Sequence, residues 1–417
     1  MRVAIIGAGA AGLAAARHVS ASGFELDVFE MRSQLGGTWV YTDEVGKDRY
    51  GYPVYSAMYK GLRTNLPKEV MGFPDFPIAE QERSYLSQAD ILEFLSLYAE
   101  KFHLTDYIKF NTMVMDVRPA DTKWKLTYES KLTGKSFTNY YDSVMICNGH
   151  YNDPIMPIVP GQEQFTGLID HSHNYRDPEK FRGQRVLVVG AGPSGLDLTL
   201  HISGVAEHVV LSHRMSELKT QYPANVEIRP DVQRILNFNK VEFVDGSCCC
   251  FDAILFCTGY RYSFPFLHES CEITIDDNHI QPLYKHMIHI ERPTMCFVGI
   301  PFNVCTFQMF DLQARYYCKY LEGSMSLPSA REMRMHTQQD LENRKAKGYT
   351  KRQMHMMGPD QESYYNDLAQ EADTAPIPPV LIKLRDLSVK RLYDDLLNFR
   401  EDQYRIVDEN NFIKISN

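Results

Sequence analysis

The sequence predicts an α/β fold, and three observations carry that prediction. A short apolar run leads into a glycine-rich turn and an Ala-rich stretch at the start of the chain. The same order returns at residue 185. Two further apolar runs, Ser143-Val144-Met145-Ile146-Cys147 and Ala253-Ile254-Leu255-Phe256-Cys257, each end in a glycine-containing turn, as strands returning to a sheet do. Strands alternating with helices at this spacing imply two Rossmann-like dinucleotide-binding domains.

The first unit begins with Val3 to Ile6, an apolar, β-branched run suited to a strand buried on both faces of a parallel sheet. Gly7-Ala8-Gly9-Ala10-Ala11-Gly12 then fits G-x-G-x-x-G, a helix follows to about Ser22, and Glu25 to Glu30 forms the next strand. Gly7 permits the tight turn, Gly9 lets a pyrophosphate approach the backbone, and Gly12 lets helix and strand pack closely. Phosphates then lie at a helix N-terminus, where free N–H groups and the dipole favour negative charge. Glu30 stands 18 residues past Gly12, where an acid accepts from ribose hydroxyls.

The second unit runs Arg185 to Val189, then Gly190-Ala191-Gly192-Pro193-Ser194-Gly195, a helix to Ser203, and a strand from His208 to Leu211. That strand ends in Ser212-His213-Arg214, with no acid where Glu30 stood. An acid repels a 2′-phosphate, whereas Ser212 and Arg214 suit one, so this site is expected to take NADPH. FAD is expected at the first site. Pro154, Pro157, Pro160 and Gly161 mark the crossover. The FAD domain is therefore expected to be discontinuous, residues 1–155 plus 285–417, with the NADPH domain, 160–280, inserted. Beyond residue 325 the pattern is helical and charged, broken at Pro376, Pro378 and Pro379; substrate access or a homo-oligomer contact are the uses expected for it.

Composition removes other classes. The net charge is −9 over 417 residues and no basic run occurs, which argues against nucleic acid. No C-x-x-C pair exists among nine cysteines, and no disulfide scaffold or metal set is indicated. The run Cys248 to Cys250 precedes a predicted strand and reads as structural. No stretch approaches 18 apolar residues, so no transmembrane anchor is expected. The N-terminus enters a strand without a leader, which fits a soluble protein, cytoplasmic, or secreted where a leader has been removed.

Two-dinucleotide enzymes divide into disulfide reductases, flavin monooxygenases and NADPH-oxidase-like flavoproteins. The reductases need a cysteine pair beside the flavin, and none follows the first unit. Phe165-x-Gly167-x-x-x-His171-x-x-x-Tyr175 matches the identifying motif of the flavin-containing monooxygenases. Gly36-Gly37-Thr38-Trp39, Thr64 to Glu69, Cys257-Thr258-Gly259-Tyr260 and Phe297-Val298-Gly299 follow that family's motifs in its order, over residues 1 to 320. The chain resembles this family, and most of all its insect members such as the pyrrolizidine-alkaloid N-oxygenases.

The resemblance implies that NADPH reduces FAD, that O2 adds to give a C4a-hydroperoxide, and that retained NADP+ shields it. An amine nitrogen or sulfide sulfur, in a small-molecule substrate, then takes the distal oxygen. It also implies that Asn65 is the active-site Asn. Gly36, Gly37, Thr38 and Trp39 are implied along the flavin, and Thr258 and Gly259 at the cofactor. His171 and Tyr175 belong to the segment linking the sites. Gln308 and Gln313 either reach the isoalloxazine ring or form the polar face of an amphipathic helix.

Overall fold

A computed structural model describes residues 1–214 and 220–415. The apolar run at the start forms the strand Arg2–Ile6, buried from Val3 onward, and the chain rises through the helix Ala10–Ala21 into the strand Glu25–Phe29. These lie in parallel register, Ile5 opposite Val28. On the other side of Arg2–Ile6 lies Ser143–Ile146, also parallel, followed by Met295–Phe297. Ile108–Lys109 closes one edge, and the antiparallel pieces Leu283–Tyr284 and Ile288–His289 close the other, giving seven strands.

A second sheet of five parallel strands repeats the plan. Arg185–Val189 is central, with His208–Ser212 and then Val226–Arg229 to one side, and Ala253–Phe256 and then Leu168–His171 to the other. In both sheets the strand order reverses beside the strand that enters the glycine turn. That places a crevice at the carboxyl ends, where open α/β sheets bind ligands.

The two units match in detail. The N–H of Gly7 donates to the carbonyl of Phe29, and that of Gly190 to the carbonyl of Ser212, both at 2.8 Å. Cys147 and Cys257 take equivalent places, each donating its N–H into the central strand and sitting beneath its glycine turn. Both are buried free thiols, and burial pushes Cys257 up to about 12, so they act as small core residues.

Antiparallel three-stranded sheets flank each unit: Thr112–Ala120, Lys123–Ser130 and Ser136–Tyr141 in one case, and Val232–Leu236, Lys240–Phe243 and Cys248–Cys250 in the other. The three contiguous cysteines therefore are a strand themselves, paired with Lys240 to Glu242, rather than a lead-in to one. The helix Thr306–Leu321 packs against Ala10–Ala21 and is pinned to it by His18 Nε2 and Asp311 Oδ1 at 2.6 Å.

Past residue 325 come the helices Ala330–Ala346, Gln361–Glu371 and Pro379–Asp394, then the hairpin Gln403–Ile406 with Phe412–Ile415. Ser329 and Glu332 close a capping box at the first. Pro379 opens the third at its first position, where a missing N–H costs nothing. No helix among the described residues is long and apolar enough to cross a membrane.

Candidate functional site

The first glycine turn is built as its sequence requires. Gly7 has φ +103°, and a β-carbon on Gly12 would stand 1.8 Å from the carbonyl oxygen of Gly7. The helix Ala10–Ala21 starts at Gly9 with no side-chain cap, which leaves its first N–H groups for a ligand. Gly36 donates its N–H to the carbonyl of Ala8 at 2.9 Å, and a β-carbon on Gly37 would come within 2.9 Å of Gly9 Cα. The Gly36–Gly37 pair thus lies against Ala8 and Gly9 of the first turn.

Thr38 offers its carbonyl to the Ser56 hydroxyl at 3.2 Å. Half-buried Trp39 meets Phe307 edge-on, ring centroids 6.4 Å apart, and forms an apolar wall.

Glu30 is buried, and its two oxygens accept from the N–H groups of Ala8 and Arg32, each at 2.9 Å. Burial raises its pKa above the usual carboxylate value. The carboxylate therefore holds the glycine turn. Beside it opens a groove of about 480 Å³ lined by Arg32, Tyr41, Asp48, Tyr50, Asn111 and Lys131. Its polar walls and size suit the nucleoside end of a dinucleotide.

At the second turn Gly190 has φ +108°, and a β-carbon on Gly195 would stand 1.8 Å from the Gly190 carbonyl oxygen. Gly192, Pro193 and Ser194 are exposed, with nothing within 4 Å of a β-carbon on Gly192, an open cradle at a helix N-terminus. Two expectations change here. The Ser212 hydroxyl is buried and donates to the Pro230 carbonyl at 2.7 Å. Arg214 is exposed and paired with Asp231. A 2′-phosphate would take Arg214 from that partner rather than meet a free cation.

The linking motif forms the seam between the sheets. His171 ends the edge strand Leu168–His171, accepts at Nδ1 from the His173 N–H at 3.0 Å, and packs beside Tyr260. Tyr175 is buried against Tyr59. Thr258 Oγ1 donates to the Ile155 carbonyl, and Gly259 accepts from the Ile155 N–H at 2.9 Å. Arg176, which the sequence did not single out, is buried and donates to the carbonyls of Glu44, Ser56, His173 and Tyr175. It staples the loop after Trp39 to the linker.

Asn65 is exposed, and its side-chain amide makes no hydrogen bond among the described residues; only its backbone carbonyl is held, by Ser388 Oγ at 3.1 Å. The two glutamines are instead buried and hydrogen-bonded. Gln308 donates to the Gly72 carbonyl at 2.6 Å. Gln313 accepts from the Gly299 N–H at 2.9 Å and donates to Tyr364 Oη at 2.7 Å. Neither lies on a polar helix face, because Thr306–Leu321 is buried on almost every side. Gln313 shapes the Gly299 turn rather than presenting its amide outward.

A pH consequence arises from two buried histidines, His171 and His279. Burial, then the neighbouring His173, holds His171 down at about 4; burial and His286 do the same for His279. Because both folded values lie below the unfolded 6.5, the stability they contribute is complete above pH 6.5 and is lost as pH falls toward 4. Allowing for solvent screening, about 1 kcal/mol each is expected to be lost by pH 5. Thermal scans at pH 7.5 and 5 should show a midpoint a few degrees lower at pH 5; equal midpoints would contradict this.

Comparison with known proteins supplies independent evidence. A family model described as flavin-binding monooxygenase-like matches residues 1–221 and 219–408. Senecionine N-oxygenase of Tyria jacobaeae is 36% identical over 421 residues, covering 99% of this chain and 91% of that protein. Flavin-containing monooxygenase FMO GS-OX-like 2 of Arabidopsis thaliana is 35% identical, covering 99% and 94%. The structure of S-allyl-L-cysteine S-oxygenase from Allium sativum superposes with a TM-score of 0.91 at 33% identity, covering 96% of this chain and 94% of that one.

Proposed function

The chain belongs to the flavin-binding monooxygenase-like family, and from that premise we propose that it oxygenates the nitrogen of tertiary amines with FAD, NADPH and O2. The overall change is NADPH + H⁺ + O2 + amine giving NADP⁺ + H2O + amine N-oxide. The observation that supports it most is the pairing of two intact glycine turns, one of them faced by Gly36 and Gly37.

Bound and reduced, the flavin supplies the activated oxygen atom that a soft nucleophile takes. The protein's own residues then have three tasks. Gly9 and Gly37 bring their two loops together at the N-terminus of Ala10–Ala21, where the FAD pyrophosphate would lie, with Glu30 and the Arg32–Lys131 groove at the adenosine end. Gly192 and Ser194 receive the NADPH phosphates, and Arg214 the 2′-phosphate. Trp39 and Phe307 keep water from the reacting end, and the free Asn65 amide donates to developing negative charge there.

The FAD domain in this reading spans 1–155 plus 285–417 and the NADPH domain 160–280. It is supported by one sheet drawing strands from residues 2–146 and 283–297, and the other from 168–256.

The senecionine N-oxygenase relative favours a pyrrolizidine-alkaloid free base as substrate; the S-allyl-L-cysteine S-oxygenase likeness favours a sulfide as the second reading. A panel of alkaloid free bases, a simple tertiary amine and a simple sulfide separates them by product formed per NADPH. NADPH consumed to H2O2 with every member of the panel would point instead to an oxidase. Arg214→Ala is expected to raise KM for NADPH about tenfold, the loss of one charge-assisted contact, while leaving NADH unchanged. An equal effect on both would remove Arg214 from 2′-phosphate recognition.

A further inference from the structure

The guanidinium of Arg400 sits where three distant stretches of chain meet. It pairs with Asp197 through Nη1, donates through Nε to the Thr64 carbonyl at 3.0 Å, and through Nη2 to the Arg63 carbonyl at 3.2 Å. Asp197 lies on the helix Pro193–Ser203 that rises from the second glycine turn and is buried. Its other oxygen accepts from the buried Tyr59 hydroxyl. The clasp is reciprocal: Arg63 donates to the Arg400 carbonyl at 2.8 Å and to Glu401 at 2.7 Å. His201, one turn along the same helix, packs edge-on against Tyr59, ring centroids 5.3 Å apart.

The two carbonyls that Arg400 holds belong to the residues immediately before Asn65. The Asn65 side chain has no anchor of its own among the described residues, so the place from which it reaches depends on how its backbone is held. We propose that Arg400 is a positioning residue for oxygen transfer: with Asp197 and Tyr59 it fixes the Asn65 backbone to the helix that receives the NADPH phosphates. The proposal rests on the reading that Asn65 and the second glycine turn serve one reaction. A planar fork is needed, because a lysine ammonium is a single point that does not reach two carbonyls and a carboxylate together. The carboxylate is needed too, because without it the guanidinium is left without its counter-charge.

A loosened clasp misplaces Asn65 but leaves both nucleotide turns intact. NADPH is then still consumed, and the flow diverts from NADPH + H⁺ + O2 + amine → NADP⁺ + H2O + N-oxide to NADPH + H⁺ + O2 → NADP⁺ + H2O2. A shift of order 1 Å costs about 100-fold in an oriented reaction.

The test compares Arg400→Met, Arg400→Lys, Asp197→Asn and Tyr59→Phe in the flavin-loaded protein. It measures N-oxide and H2O2 per NADPH, flavin content and thermal midpoint. N-oxide per NADPH is expected to fall roughly tenfold or more in Arg400→Met and Asp197→Asn, with H2O2 making up the difference and flavin retained. The Arg400→Met/Asp197→Asn double variant should be no worse than either alone. Parental coupling in any two of the flavin-loaded variants overturns the proposal. So does a loss of rate with an unchanged N-oxide to H2O2 ratio, which is what a merely structural role gives. Should Arg400→Met not fold, Asp197→Asn and Tyr59→Phe carry the same comparison. Asn65→Ala separates the levels. If it stays coupled, the underlying reading fails; if it uncouples while the clasp variants stay coupled, only the clasp fails.

Discussion

Gly12→Ala is expected to give a protein without flavin, and Gly195→Ala a protein that keeps its flavin but has lost most of its affinity for NADPH. In each case the new methyl would stand 1.8 Å from a backbone carbonyl oxygen. No rotamer relieves a β-carbon, so the helix must move away from its turn by an ångström or more. The N–H groups at that helix start then no longer converge on a phosphate.

The effect should be confined to one site, because the turns lie in different sheets with different helices. For Gly195→Ala, KM for NADPH is expected to rise about 100-fold, the scale set by ångström-level misplacement, with the visible flavin spectrum unchanged. For Gly12→Ala, the protein should be colourless after purification. A colourless Gly195→Ala beside a yellow Gly12→Ala would exchange the two cofactor assignments. Full flavin and normal KM in both would deny that these turns hold dinucleotides.

The glycines were readable in the sequence because each encodes a local necessity. Gly7 must take a positive φ, Gly12 and Gly195 must admit a carbonyl, and the apolar runs around them must be buried on both faces. These demands fall within a few residues and leave a pattern. The Gly36–Gly37 pair was expected along the flavin by resemblance; in the structure Gly37 packs against Gly9 of the first turn.

What stayed hidden depends on partners that no local pattern names. Arg214 was expected at a 2′-phosphate, but its guanidinium is paired with Asp231, 17 residues on. Ser212 occupies the predicted place with its hydroxyl turned to Pro230. Gln313 sits on a helix whose burial comes from both Ala10–Ala21 and Gln361–Glu371, so its polarity serves Gly299 and Tyr364 instead of solvent or cofactor. Arg400 and Asp197, about half the chain apart, follow no spacing rule at all. Periodicity reports which face is buried, not which distant group waits there.

Asn65→Ala carries the second large expectation: N-oxide formation falls by about 100-fold while NADPH continues to be oxidised and H2O2 accumulates. Among the described residues the Asn65 amide bonds to nothing, although Thr64 beside it is tied to Leu86 by two hydrogen bonds, at 2.8 and 3.1 Å, and its own carbonyl is tied to Ser388. An amide whose backbone is held and whose tip has no protein partner among the described residues is available to donate to a bound group without first breaking a protein contact.

Alanine removes that donor and changes little else, since Asn65 is exposed and contributes little packing. Flavin content and thermal midpoint should therefore match the parent, and KM for NADPH should shift little. The loss should appear in the partition between N-oxide and H2O2. Asn65→Asp should be at least as impaired, because it places an acceptor and a negative charge where a donor is required. If N-oxide per NADPH in Asn65→Ala equals that of the parent, the amide has no part in oxygen transfer, and the donor must be sought in the backbone or on the bound nicotinamide.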